Sequence, residues 1–163
     1  MSDLGITGIF HANINVRNMD ASIKWYTEVL GATLRMGPYD DEGPNIRAVS
    51  FGSEAFGVHP DEIKIRYALL GWGEGPNETL LDLIEAVNPP TWGEVYPNAM
   101  KVGLNRLCLA TEGVESAYAK LQERGVKILT PLVTFASDGF DEDKCCFCFE
   151  DPDGAVLELF GTR

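Results

Sequence analysis

Polar and apolar positions alternate, shift to a spacing of three to four, and then alternate again, and the chain runs through this cycle twice. In residues 9–16, Ala12, Ile14 and Val16 fall on one face of an extended chain and His11, Asn13 and Asn15 on the other. Asn18 or Asp20 can cap a helix whose Ile23, Tyr26 and Leu30 recur at helical spacing, and Gly31 suits its left-handed end. A second strand is expected near 32–37, ending at Gly37-Pro38. Residues 38–62 are rich in Gly, Pro and acid, with a short extended stretch from Ile46 to Phe51, and read as an insertion or lid. Strands at 63–72 and 79–87 then form a hairpin around GWGEGPNE.

After a linker at 89–102 containing Pro89, Pro90 and Pro97, the cycle restarts. A strand is expected over 103–110, and a helix over 113–124 that buries Val114, Ala117, Tyr118 and Leu121 and stops at Gly125. Strands follow at 126–129, 144–150 and 155–160, with Asp151-Pro152-Asp153-Gly154 as the turn between the last two. The predicted fold class is α+β, with tandem βαβββ modules at 1–88 and 103–163. Spacing supports the repeat: His11 to Tyr26 and Arg106 to Leu121 are both 15 residues. His11 to Asp82 is 71 and Arg106 to Glu158 is 52, and the extra 19 fit the Gly- and Pro-rich segment of the first half. An α/β sandwich without duplication also satisfies the pattern alone.

At 163 residues, with 45% of them apolar, the chain can bury a real core. The formal charge of -12 repels nucleic acid and anionic lipid, so neither is an expected partner. The first residues lack a basic segment and a long apolar core, and no window approaches a membrane span, which points to a cytoplasmic protein. Cys108, Cys145, Cys146 and Cys148 do not resemble a disulfide framework. Alternation places Cys146 and Cys148 on one face of their strand and Cys145 on the other, and the expected state is buried, reduced thiols rather than a closed zinc site.

The same alternation isolates four polar residues. Asp82 opposes Leu81 and Leu83, Glu158 opposes Leu157 and Leu159, and Arg106 opposes Leu107 and Leu109. If helices cover the leucine faces, the opposite faces can curve around a cavity that receives His11, Asp82, Arg106 and Glu158. Each residue also has a plain role: a satisfied strand histidine, a carboxylate at a sheet edge, an internal ion-pair arginine. Burying unpaired charge is costly, so carboxylates in a cavity need Arg, His, a metal or water beside them.

HANINVRNMDASIKWYTEVLG, GLNRLCLATEGVESAYAKLQERGV, LLDLIEAVNPP and above all FEDPDGAVLELF give the chain, over nearly its whole length, a resemblance to the vicinal oxygen chelate superfamily. That group includes glyoxalase I, methylmalonyl-CoA epimerase, extradiol dioxygenases, fosfomycin-modifying enzymes and bleomycin-binding proteins. The resemblance implies curved mixed sheets around a cavity and a homodimer. It also implies a divalent ion (Fe, Mn, Mg or Zn) held from the first and last strands of both modules. His11 matches the first ligand position, Asp82 the second and Glu158 the last, while the third falls on Arg106, whose guanidinium stays protonated and is no normal metal donor.

Three functional expectations follow, all with a small organic molecule as partner. One is a metal-assisted lyase, isomerase or dioxygenase using His11, Asp82 and Glu158 as ligands. His59, in GVHPDE, is the other histidine; it can reach a pocket from a lid or remain an exposed loop residue. A second is a metal-independent isomerase, cyclase or decarboxylase in which Arg106 holds an anionic oxygen and Glu158 or His11 moves a proton. Tyr67 and Trp72 are candidate substrate contacts in either. The third is a binding or drug-resistance protein, with Trp72, Trp92, Tyr96 and Phe140 available as aromatic contacts.

Overall fold

A computed structural model describes residues 4–42, 57–75, 78–95, 100, 102–135 and 143–163. Packing divides the chain into two units, Met1–Trp92 and Gly93–Arg163, with the boundary inside the proline-containing segment 89–102.

The first unit runs β1 (His11–Asn15), α1 (Met19–Glu28), β2 (Thr33–Glu42), a 3-10 turn at Pro60–Glu62, β3 (Lys64–Gly71) and β4 (Leu80–Asn88). Its sheet has the order β1-β4-β3-β2; β1 is parallel to β4 and the other pairs are antiparallel. Asn18 caps α1, its Oδ1 accepting from the Ala21 N–H at 2.9 Å. Glu85 on β4 accepts from the Met19 N–H at 2.9 Å and so satisfies a second orphan donor of the same helix end. Arg66 on β3 bridges Glu85 and Asp20, tying the first turn of α1 to the sheet.

This tether sets the rotation of α1 and corrects the expected stripe. The fully buried face is Met19, Ser22 and Tyr26, while Ile23 and Leu30 are half-buried. Beneath it lie Ala68, Leu70, Leu81 and Leu83, all buried. Each such Leu contributes about 1.5–3 kcal/mol by leaving water.

β2 also departs from expectation, since it continues through Gly37-Pro38 to Glu42 instead of ending there. β2 is an edge strand, and the register shifts between Leu34 and Tyr39 absorb a residue that has no N–H to give. Gly37 has φ +86, and a Cβ there would sit 2.7 Å from the Tyr67 carbonyl oxygen, so the position requires glycine. The expected insertion falls largely outside the described residues.

The second unit repeats the plan: β5 (Leu107–Thr111), α2 (Val114–Glu123), β6 (Val133–Thr134), β7 (Lys144–Glu150) and β8 (Val156–Thr162), in the order β5-β8-β7-β6. Val114 and Leu121 are buried from α2, and Tyr118 meets Phe147 edge-on at 4.9 Å. Asp151 closes the turn before β8, its Oδ1 accepting from the N–H groups of Asp153 and Ala155 at 2.9 and 2.7 Å.

The strand expected at 126–129 is reduced to a single bridge, Ile128 to Phe149, followed by the two-residue β6. The cause is local. The Thr130 hydroxyl accepts from the Cys148 N–H at 2.8 Å, where a ladder would use a backbone carbonyl, and Pro131 has no N–H to continue the pairing. No helix among the described residues is long and apolar enough to cross a membrane.

Candidate functional site

Helix α1 covers the Leu81–Leu83 face of the first sheet, so the neighbouring alternate residues occupy the helix-free face. There the register lines up Asn13, Asp82, Leu69 and Met36 across four strands. The adjacent row is Asn15, Ile84, Tyr67 and Tyr39. Asp82 is only 5% exposed. Asn13 donates from Nδ2 to its Oδ2 at 2.8 Å, while its buried Oδ1 has no hydrogen-bond partner among the described residues.

Burial raises the Asp82 pKa above the ordinary carboxylate value; the nearby His11 and the Asn13 hydrogen bond act in the opposite direction without cancelling it. His11 itself is exposed at the start of β1, with its ring against Phe10 at 5.4 Å. Burial, aided by the charges of Asp41 and Asp82, raises the Tyr67 phenol, which therefore remains a protonated donor. Tyr67 packs against Tyr39 at 5.4 Å on the same face.

The second sheet has the matching arrangement. Cys108, Glu158 and Cys148 line up across β5, β8 and β7, with Arg106 immediately before β5 on the Cys108 face. Cys108 stands opposite Glu158 as Asn13 stands opposite Asp82. The partners differ because the neighbours differ: Cys108 stands where the first unit has the amide of Asn13, and Arg106 stands where it has His11. Glu158, one methylene longer, accepts from Nε of Arg106, two residues before its register partner. The Cys146 thiol is hydrogen-bonded to the same carboxylate, and burial followed by Glu158 pushes its pKa to about 12. Burial and then the Glu158 charge also raise Cys148. Cys108 shifts in the same direction for the same causes, although the residue as a whole is exposed and so departs from the expected buried state.

The structure therefore joins Asp82 with Asn13 and His11 in one unit, and Glu158 with Arg106 in the other. Sequence reasoning placed Asn13 on the correct face but gave it no role, since its pairing with Asp82 depends on strand register. Trp72 uses its indole N–H on the Leu30 carbonyl at 2.9 Å and anchors the segment after α1. His59 is exposed and caps the 3-10 turn, its Nδ1 accepting from the Asp61 N–H at 3.3 Å. Trp92 is 88% exposed, and Tyr96 and Phe140 lie outside the described residues.

A model of the Glyoxalase/Bleomycin resistance protein/Dioxygenase superfamily matches residues 8–159. The chain belongs to that superfamily. A Bacillus subtilis relative, the uncharacterized protein YwbC, is 28% identical over 154 residues, covering 93% of this chain and 95% of the relative. Among solved structures, a glyoxalase family protein from Bacillus cereus superposes with a TM-score of 0.77 at 16% identity, over 99% of this chain and 98% of that one. The trypanothione-dependent glyoxalase I of Leishmania major gives 0.62 at 20% identity, over 96% and 87%. At these identities, the structural matches establish the fold.

The metal site implied by the superfamily resemblance can be tested against these contacts. Arg106 occupies the third ligand position, retains its proton and is bonded to Glu158, the residue at the fourth. A divalent ion bound there would have to break that pair and sit beside a fixed positive charge. The residues present do not fit a four-ligand centre of that kind. Among the described residues, no group of three or more His, Cys, Asp and Glu side chains is arranged to hold a metal.

Proposed function

We propose that this chain is a metal-independent small-molecule enzyme of the superfamily, acting by proton transfer on an oxygen-rich organic anion. The observation carrying this reading is the Arg106–Glu158 pair, which puts a guanidinium where the resemblance implies a metal ligand. Arg106 uses Nε, and neither of its terminal nitrogens, in the bond to Glu158. Those nitrogens form a planar fork suited to a carboxylate or enolate oxygen. The fixed positive charge would stabilise negative charge developing on that oxygen during reaction. Glu158, buried and oriented by Arg106 and Cys146, is the group assigned to take and return the proton. An isomerase that enolises its substrate is the reaction type most directly served by a positioned cation beside a carboxylate.

The test is solvent-deuterium incorporation, followed by NMR, into a panel of small 2-oxo and 2-hydroxy acids incubated with chelator-treated protein. Exchange that persists without metal, falls about a hundredfold in Glu158→Gln and weakens in substrate affinity in Arg106→Met supports the reading. Exchange that appears only on adding a divalent ion returns the metal-assisted alternative. Binding without turnover across the panel favours a small-molecule binding role.

A further inference from the structure

We propose that Cys146 is a positioning residue of the second unit: its thiol holds the Glu158 carboxylate on Nε of Arg106 and so keeps the terminal nitrogens of that guanidinium open to an anionic ligand. The inference deepens the proposed function and rests on its use of Arg106 as an anion-binding fork.

The register places the two donors on opposite diagonals of Glu158. Cys108 on β5 and Cys148 on β7 stand directly beside the carboxylate. Arg106 lies two residues before Cys108, toward the start of β8, while Cys146 pairs with Phe160, two residues beyond Glu158. Diagonal neighbours on one face lie within reach of a long side chain. Glu158 and Cys146 are 7% and 9% exposed, so water competes little for either group. The nearer thiols are otherwise engaged: Cys148 is hydrogen-bonded to the Thr130 side chain, and both Cys108 and Cys148 sense Glu158 through its charge. The Cys146 contact raises that thiol, so the proton stays on sulfur and the thiol is the donor.

A carboxylate beside an arginine commonly takes two N–H groups at once. Here Arg106 gives Nε to Oε2, and neither terminal nitrogen enters the bond. A donor on the opposite diagonal accounts for this single-point contact, because it opposes the rotation that would carry the carboxylate onto the rest of the guanidinium. An S–H is a weak donor, and burial beside an ionised acceptor lets it suffice. The Arg106 side chain is 43% exposed, so the nitrogens that Glu158 does not occupy can meet a ligand.

The test is NMR of the full chain labelled with 15N-arginine, the Arg106 signals being assigned by their loss in Arg106→Met. Rotation of the terminal nitrogens is fast while they are free of the carboxylate and slows when it holds them. Cys146→Ala and Cys146→Val both lack the donor and differ in volume, and each should slow that rotation several-fold. Cys146→Ser, which keeps a donor, should rotate as the wild type does. Wild-type rotation in both donor-free variants overturns the inference. Recovery in Cys146→Val but not in Cys146→Ser also overturns it, by assigning the residue to packing. With any 2-oxo acid that the wild type turns over, Cys146→Ala should raise KM about tenfold, more than it lowers kcat. A fall in kcat at unchanged KM contradicts the open fork. The NMR readout needs no turnover, so a wild type that exchanges no substrate proton sinks the enzyme reading while the rotation still decides this one.

Discussion

Asn13 stands directly opposite Asp82 in the parallel β1–β4 pair and donates to one of its two carboxylate oxygens, leaving the other buried with no hydrogen-bond partner among the described residues. A side chain in this condition is held against its own solvation by the surrounding fold. A buried acceptor of this kind lowers the stability of the free protein.

Replacing Asp82 should therefore stabilise the free protein at neutral pH. Its pKa is raised in the folded state by burial, so the native protein binds a proton more readily than the unfolded chain. On this group alone, stability is greatest below the ordinary value of 3.8 and declines as pH rises through the higher folded-state pKa. Asp82→Asn should raise Tm at pH 7 by a few degrees, corresponding to about 1–2 kcal/mol. Calorimetry across pH checks this: the gain should shrink toward zero below pH 4, and a gain independent of pH contradicts it.

The Arg106–Glu158 pair should show strong coupling in a double-mutant cycle. Arg106→Met alone leaves the buried Glu158 carboxylate without its cation and should cost about 2 kcal/mol, an estimate kept below that for a fully buried pair because Arg106 is partly exposed. Adding Glu158→Gln should restore most of the loss. Urea unfolding of the two single variants and the double variant measures it, and simple additivity would show that the pair contributes nothing specific.

Thiol chemistry reports on the same carboxylate. Cys146, pushed up to about 12, should resist iodoacetamide at pH 8, while exposed Cys108 reacts first and slowly. Glu158→Gln removes a negative charge that raises Cys108 and Cys148 and frees an Arg106 that lowers them, so both should react several-fold faster. Peptide mass spectrometry over a time course gives the rates. Unchanged rates would place the Glu158 charge too far from the sulfurs to matter.

The tether at the start of α1 is acid-sensitive. The hydrogen bond and charge of Arg66 lower the Asp20 pKa, so the contribution is present above the ordinary carboxylate value of 3.8 and is lost as pH falls through the lower folded-state value. Arg66→Met should lower Tm by a few degrees at pH 7 and less below pH 3, since the wild-type tether is then already weakened. A Tm difference that stays constant down to pH 2 would show that Arg66 acts through packing instead.

Local pattern predicted both helices, the turn at Asp151–Gly154 and most strands, because alternation and helical spacing are written in consecutive residues. The failures were those requiring a neighbour. Whether Pro38 ends a strand depends on β2 being an edge, and whether 126–129 forms a ladder depends on the Thr130 hydroxyl reaching Cys148. The candidate positions were legible to the same degree. His11, Asp82, Arg106 and Glu158 were identifiable from their faces and from the repeat, while Asn13 and Cys146 gained meaning only when partner strands supplied their register.

By itself, the sequence determined which face of each strand would be polar, because side-chain direction follows from backbone period alone. Tertiary structure decided which polar groups meet. In the first unit Asp82 meets Asn13 and keeps one oxygen without a hydrogen-bond partner among the described residues, while in the second Glu158 meets Arg106. Those pairings exist only after hydrogen-bonded strands fix the register, since pairing distances between residues far apart in sequence are set by the sheet and by no local preference.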